Sequence, residues 1–259
     1  MKYTGESYEQ LIQKSYSYAR EAQSSDEWKI LRALYSNNYL RSEDITPYIP
    51  KRIHQIWLGS PVPDKYKRFM DSWQKFNPTW EYKLWTDSNI DIPLKRQRAF
   101  EQVPNQGMRS DILRYEILHQ LGGLYIDTDF ECLRSFDDLL YLDFFTGIAY
   151  DSSCCLYNGL IACTPKHPIM AACRDNLSLP VRIMSRVKSS VIMQLTGPYF
   201  FTRQFFSYCT PLTGKVVAFP MDYFYPLPNN VRTTKDPYSY IKPCSYAIHH
   251  WDVSWTINF

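Results

Sequence analysis

The stretch Gly122-Gly123-Leu124-Tyr125-Ile126-Asp127-Thr128-Asp129 decides the fold class. A double glycine ends a helix, three apolar residues enter a buried strand, and two carboxylates follow at positions i and i+2. Side chains two apart on an extended strand point to the same face, about 7 Å apart at a rise of about 3.4 Å per residue. The expectation is a carboxylate pair on one face. Two ionised carboxylates placed together repel, so positive charge is needed beside them. A divalent cation supplies it: Mg²⁺ or Mn²⁺ takes one or two carboxylates and completes its shell with phosphate oxygens and water. The ligand this implies is a metal-borne diphosphate, and a solvated acidic turn is the plain alternative for so short a motif.

Directly upstream, Arg109 to Leu121 places apolar residues at Ile112, Leu113, Ile117, Leu118 and Leu121, which is helical spacing with one buried stripe. Asp111 and Arg114, three apart, share a helix face and can pair or reach one ligand. As an exposed pair they would contribute only a few tenths of a kcal/mol.

Ser110-Asp111-Ile112-Leu113-Arg114 followed by Gly122 to Asp129 resembles the core of the glycosyltransferase family 32 type, the enzymes with a sugar-binding region containing a DXD motif. That group is similar to yeast initiating mannosyltransferases and to the catalytic domain of large clostridial glucosylating toxins. The resemblance covers roughly residues 47–255. It implies a GT-A-like α/β fold, a nucleotide-binding mixed sheet flanked by helices. The activity implied is retaining transfer of a hexose from a nucleotide diphosphate sugar, with a UDP-sugar favoured, to a hydroxyl on a glycan or protein acceptor. The cofactor implied is Mn²⁺ or Mg²⁺ held by Asp127 and Asp129, while Asp111 and Arg114 orient the sugar and no protein nucleophile is needed. A binding module without turnover is the alternative reading.

The 259 residues suffice for one sizeable domain with a modest appendage. A net charge of +3 is too small to argue for nucleic acid, whose binders show a clustered basic face. The seven cysteines (Cys132, Cys154, Cys155, Cys163, Cys173, Cys209, Cys244) show no zinc spacing, and an odd, scattered set fits reduced thiols. No apolar signal core or membrane-spanning run occurs. The expected location is cytoplasmic, with delivery into a host cell by a specialised secretion route as the second option.

Residues 1–46 read as a helical segment, with Tyr8, Leu11, Ile12, Tyr16 and Tyr18 and then Trp28, Ile30, Leu31, Leu34 and Tyr35 at near-helical spacing. A cap on the main domain is the plain reading, and peripheral membrane contact through these helices is the other. The main domain, 47–259, opens with Lys51 to Gly59 as a buried strand. Trp57 falls at its carboxyl end, where ligands of α/β sheets sit. The resemblance makes Trp57 a base-stacking residue, and Gln55 and Tyr125 are grouped with it as donor-binding positions. A helix over Pro63 to Asn77, a strand at Glu81 to Trp85 and a polar connection from Pro93 to Gly107 complete a β-α-β start.

Beyond Asp129, strands are expected at Phe144 to Tyr150, Leu156 to Ala162 and Val216 to Pro220, and helices over His167 to Asn176, Val181 to Leu195 and Tyr199 to Tyr208. Asn158-Gly159 reads either as a hairpin turn or, by the resemblance, as a strand contributing Asn158 to the sugar pocket. Met221 to Pro228 reads as a loop. Near the end, His249 and His250 follow a short apolar run, and either neutral imidazole can complete a metal shell. Ser254 and Trp255 are expected against the diphosphate or the glycosidic oxygen, as in the family.

Overall fold

The structure is a computed structural model describing residues 8, 25–43, 45–149, 155–179 and 188–252. Its main sheet has six strands: β1 (Arg52–Ile56), β2 (Glu81–Trp85), β3 (Gly123–Ile126), β5 (Phe144–Ala149), β6 (Cys155–Cys163) and β7 (Val216–Phe219). The order is β2-β1-β3-β6-β5-β7, and only β6 runs antiparallel to its neighbours. A separate antiparallel pair joins β4 (Phe130–Cys132) to β8 (Ala247–His249). This is the mixed α/β sheet expected from the alternation of strand and helix patterns.

β1 reaches β2 through α2 (Asp64–Phe76), whose buried Tyr66, Phe69, Met70 and Trp73 follow the helical repeat. The polar connection expected before Gly107 contains a short helix, α3 (Gln97–Gln102), which leads into α4 (Gln106–Leu121). Asn105 caps α4, its side chain accepting from the Met108 N–H. The single buried stripe expected for α4 is a misreading, because every residue from Ile112 to Leu118, together with Asp111, is buried. The helix lies between β3 and β6 on one side and α3 and α5 (Pro168–Asp175) on the other, so its polar residues are enclosed too.

The double glycine does what its sequence suggests. Gly122 and Gly123 have φ of 62° and 94°, in the left-handed region, and a Cβ on Gly123 would lie 2.7 Å from the Arg52 carbonyl of β1. His54 fastens the same corner: its Nε2 stands 2.9 Å from the Gly122 carbonyl and its Nδ1 accepts from Trp85 Nε1 at 3.2 Å. Those partners fix a neutral imidazole with the proton on Nε2. Burial lowers the His54 pKa to about 4, in agreement.

At the other side of the sheet, α1 (Asp26–Tyr35) and the π-helical turn Ser36–Leu40 bury Trp28, Leu31, Leu34, Tyr35 and Tyr39. Tyr39 meets Phe219 of β7 edge-on at 4.9 Å, and the Tyr35 and Tyr223 hydroxyls are hydrogen-bonded at 2.7 Å. The apolar stripe of α1 is thus used inside the protein. The earlier part of the expected helical segment, apart from Tyr8, lies outside the described residues.

Three smaller expectations change. Asn158-Gly159 is interior to β6 and not a hairpin turn: the pair falls at the register shift against β5, between Tyr157, opposite Gly147, and Ile161, opposite Thr146. The loop after Pro220 begins with a helical turn, α8 (Met221–Phe224). Of the helix expected over Val181 to Leu195, α6 (Ser189–Leu195) is described, and α7 (Pro198–Tyr208) follows it. No helix among the described residues is long and apolar enough to cross a membrane.

Substituting Gly123 by Ala combines left-handed strain with a backbone clash and should cost about 2–3 kcal/mol in urea denaturation. Gly214→Ala, where an added Cβ meets nothing within 4 Å, is the control and should stay within about 0.5 kcal/mol.

Candidate active site

The strand order reverses at β1. The chain goes from β1 outward to β2 and then returns to β3 on the opposite flank, which makes the β1/β3 boundary a topological switch point. Ligands of open α/β sheets sit in the crevice beyond the carboxyl ends of strands at such a point. Trp57 and Asp127 are the residues immediately after β1 and β3. Both line a cavity of about 690 Å³, together with Tyr66, Asp111, Arg114, Tyr125, Asp129, Asn158, Tyr225 and His249.

Asp127 and Asp129 do not lie on an extended strand as expected. β3 ends at Ile126, and the Asp127 carbonyl accepts from the Phe130 N–H at 3.2 Å, closing a turn between β3 and β4. In this turn one oxygen of each carboxylate lies within 4.8 Å of the other. Asp127 N–H donates to the Gly159 carbonyl at 2.8 Å, so the turn hangs on β6. A Cβ on Gly159 would stand 2.7 Å from Asp127 Oδ2. Glycine there is what allows the carboxylate to lie against the strand.

Arg114 is the buried cation of this corner. Its guanidinium pairs with Asp127 Oδ1 at 3.2 Å and Asp111 Oδ1 at 3.3 Å, donates to the Asn158 carbonyl at 2.6 Å, and lies over the Tyr125 ring at 4.4 Å. Burial works against its charge, and the neighbouring Asp127, Tyr125 and Asp111 outweigh that and raise its pKa. Asp111 accepts from Asn158 Nδ2 and from Thr196 Oγ1, each at 2.7 Å. Asn158 Nδ2 also donates to the Tyr115 hydroxyl at 3.0 Å. Both of its amide hydrogens are spent inside the protein, so a ligand contact of Asn158 falls to its side-chain oxygen. Tyr125 donates its hydroxyl to Asp127 Oδ1 at 2.7 Å.

The other carboxylate belongs to a second cluster. Asp129 Oδ2 lies 3.0 Å from His249 Nε2 and accepts from the Asp252 N–H at 2.8 Å. His249 arrives through the β4–β8 pairing, where it stands opposite Phe130 and stacks on that ring at 4.3 Å. Asp127, Asp129 and His249 each offer one ligand atom, all within 4.8 Å of one another. Ligands around an octahedral ion at about 2.1 Å are at most about 4.2 Å apart, so a small contraction makes these three one shell. Two carboxylate oxygens and an imidazole are a donor set for a divalent cation.

The two carboxylates are pushed in opposite directions. Burial raises the Asp127 pKa, with Arg114 opposing and Asp129 reinforcing. For Asp129 burial also favours the neutral form, but His249 and the backbone amides outweigh it and lower its pKa.

Other expected residues are placed differently. Gln55 is buried behind the turn, accepting from Tyr82 OH at 2.7 Å and donating to the Asp127 carbonyl at 3.3 Å, so it supports Asp127 and does not face the cavity. His250 points away from the aspartates because successive strand side chains alternate; it meets Glu131 Oε2 at 3.1 Å and stacks on Phe69 at 4.2 Å. Of the two histidines, His249 is the one that joins the carboxylates. Trp57 is half-buried with Nε1 donating to Ser60 Oγ at 3.1 Å. Ser254 and Trp255 lie outside the described residues. Sequence reasoning missed Gly159 and Thr196, whose only signals were a glycine inside an apolar run and a Thr-Gly-Pro break.

Residues 63–145 match the glycosyltransferase sugar-binding region containing DXD motif. That match takes in Asp111, Arg114, Asp127 and Asp129, and stops short of Asn158 and His249. Inositol phosphoceramide mannosyltransferase 1 of Schizosaccharomyces pombe is 30% identical over 62% of this chain and 52% of its own length. Mannosyl phosphorylinositol ceramide synthase SUR1 of Saccharomyces cerevisiae is 29% identical over 67% of this chain and 49% of its own. The chain thus spans about half the length of these relatives. The solved structure of PaToxG Glycosyltransferase aligns with 75% of this chain and 79% of that one, at 20% identity and a TM-score of 0.48.

Replacing Arg114 by Met leaves two carboxylates facing each other without their cation and should cost about 3–5 kcal/mol in urea denaturation. A cost under about 1 kcal/mol would mean that the two carboxylates do not depend on the guanidinium in the folded protein. Gly159→Ala should displace Asp127 and weaken Mn²⁺ binding, read by titration calorimetry, by about tenfold or more.

Proposed function

We propose that this chain is a metal-dependent, retaining glycosyltransferase that moves a hexose from a nucleotide diphosphate sugar to an acceptor hydroxyl, with UDP-sugars the favoured donors. The observation that carries the reading is the Asp127–Asp129–His249 cluster at the sheet's switch point, continuous with the buried Asp111–Arg114 pair. Asp127, Asp129 and His249 are the residues that would hold the cation, Mn²⁺ being the first choice. When bound, it supplies Lewis-acid stabilisation of the charge that develops on the leaving diphosphate.

The side chains around the cluster divide the remaining work. Arg114 holds Asp127 in place and opposes the rise that burial imposes on its pKa, and with Asp111 it faces the sugar end of the cavity. The Asn158 side-chain oxygen accepts from a sugar hydroxyl. Trp57, its indole set by Ser60, offers a flat face to the base at the opposite end, and such stacking contributes about 1–3 kcal/mol. Retention at the anomeric carbon is taken from the family resemblance. The acceptor hydroxyl belongs to a glycan, a protein, or a lipid of the kind for which the two yeast relatives are named.

Thermal-shift and hydrolysis screening against UDP- and GDP-sugars, with Mn²⁺ and with EDTA, tests this. One nucleotide sugar should raise Tm in Mn²⁺ only, and its nucleoside diphosphate should be released slowly. Asp129→Asn should retain the wild-type circular dichroism spectrum and lose turnover at least 100-fold, on the order expected for removing a residue that places charge in the transition state. Turnover near wild type in that variant would rule out the metal assignment. No shift with any nucleotide sugar would rule out the transferase reading.

A further inference from the structure

Tyr225, immediately after α8, has a fully buried side chain within the wall of the cavity. Its ring meets Phe130 at 5.2 Å, His249 at 5.6 Å, Trp251 at 5.7 Å and Tyr157 at 6.0 Å between centroids. The seat is made by a glycine: a Cβ on Gly147 would lie 2.7 Å from Tyr225 Cε2, and Gly147 stands where the β5–β6 register shifts. Four rings and a glycine in the sheet therefore fix where this phenol points.

The Tyr225 hydroxyl is shielded from bulk water and has no hydrogen-bond partner among the described residues. Buried polar atoms are nearly always paired, and an unpaired one costs about 1–3 kcal/mol. Phenylalanine would fill the same seat without that cost. Burial, then the nearby Asp127 carboxylate, raises the phenol pKa well above its ordinary value. A tyrosine hydroxyl is neutral with a proton to donate, and this residue lines the same cavity as Asp127 and Asp129.

We propose that Tyr225 is a donor-contacting residue: its hydroxyl donates a hydrogen bond to an oxygen of the sugar–diphosphate moiety of a bound nucleotide sugar, next to Asp127 and Asp129. The proposal rests on the transferase reading above. It adds to that reading a contact supplied by a segment outside the matched glycosyltransferase region.

Tyr225→Phe removes one oxygen and keeps the ring. Its Tm should equal or exceed that of the wild type, because no bond inside the protein is lost. Affinities for UDP-glucose, GDP-mannose, UDP and GDP would be measured calorimetrically in Mn²⁺, alongside kcat/KM for the donor that turns over. The variant should lose about tenfold or more in affinity or kcat/KM for that nucleotide sugar. A parallel loss with the nucleoside diphosphate alone assigns the contact to the diphosphate, and a loss confined to the nucleotide sugar assigns it to the sugar. Unchanged affinity and turnover overturn the proposal while leaving the transferase reading standing. A Tm lowered by several degrees also overturns it, since the hydroxyl would then serve the fold. A wild-type protein that binds and turns over none of the four overturns the transferase reading itself, and this proposal with it.

Discussion

The buried guanidinium of Arg114 is the interaction on which the site depends. It joins three elements that are distant in sequence: α4 through Asp111, the β3–β4 turn through Asp127, and β6 through the Asn158 carbonyl. An isolated charge at that depth would be driven out or neutralised, and one cation shared by two carboxylates and a carbonyl is held. The same contacts set the position of the turn relative to the helix. The sheet's ladder cannot do this alone, because β3 has ended before Asp127 begins.

A second layer positions the first. Thr196, fully buried between α6 and α7, donates to Asp111 while its carbonyl accepts from Tyr115 at 2.7 Å. Gln55 holds the Asp127 carbonyl from below, and Tyr82 holds Gln55. Each polar atom in this chain of contacts is aligned by another polar atom, so the carboxylates reach the cavity already oriented. Preorganisation of this kind spares a reacting site the cost of reorienting dipoles as charge develops.

Much of the fold was legible in the sequence, because most elements advertise themselves locally. Tyr66, Phe69, Met70 and Trp73 repeat with the period of a helix, Glu81–Trp85 is bounded by turn residues, and Gly122-Gly123 marks a corner that only glycine can make. What escaped notice depends on contacts far apart in the chain. The burial of α4 on nearly all sides follows from neighbours on two faces, and no periodicity within sixteen residues encodes it. The choice between His249 and His250 was undecidable from a dipeptide. It is made by the register of β8 on β4, which turns His249 toward Asp129 and His250 toward Glu131. For the same reason Asn158-Gly159 could be read as a hairpin turn or as strand: the pair sits inside β6 at its register shift against β5, which no dipeptide encodes.

The arrangement also explains why two aspartates of the same type, two residues apart, are not equivalent. Asp127 faces Arg114 and Asp129 faces His249, so each has its own positive or protonatable neighbour on a different element. Among Asp111, Asp127 and Asp129 three carboxylates share one guanidinium and one imidazole in a largely buried corner, and the Asp127 pKa is raised while that of Asp129 is lowered. Like charges at this spacing cannot all remain ionised without further positive charge. A divalent cation between Asp127, Asp129 and His249 would offset the excess, and its position would lie where the β4–β8 pairing brings the C-terminal strand against the turn. The short second sheet is therefore what makes a two-residue acidic motif into a three-ligand cluster, and the chain achieves this by pairing segments more than a hundred residues apart.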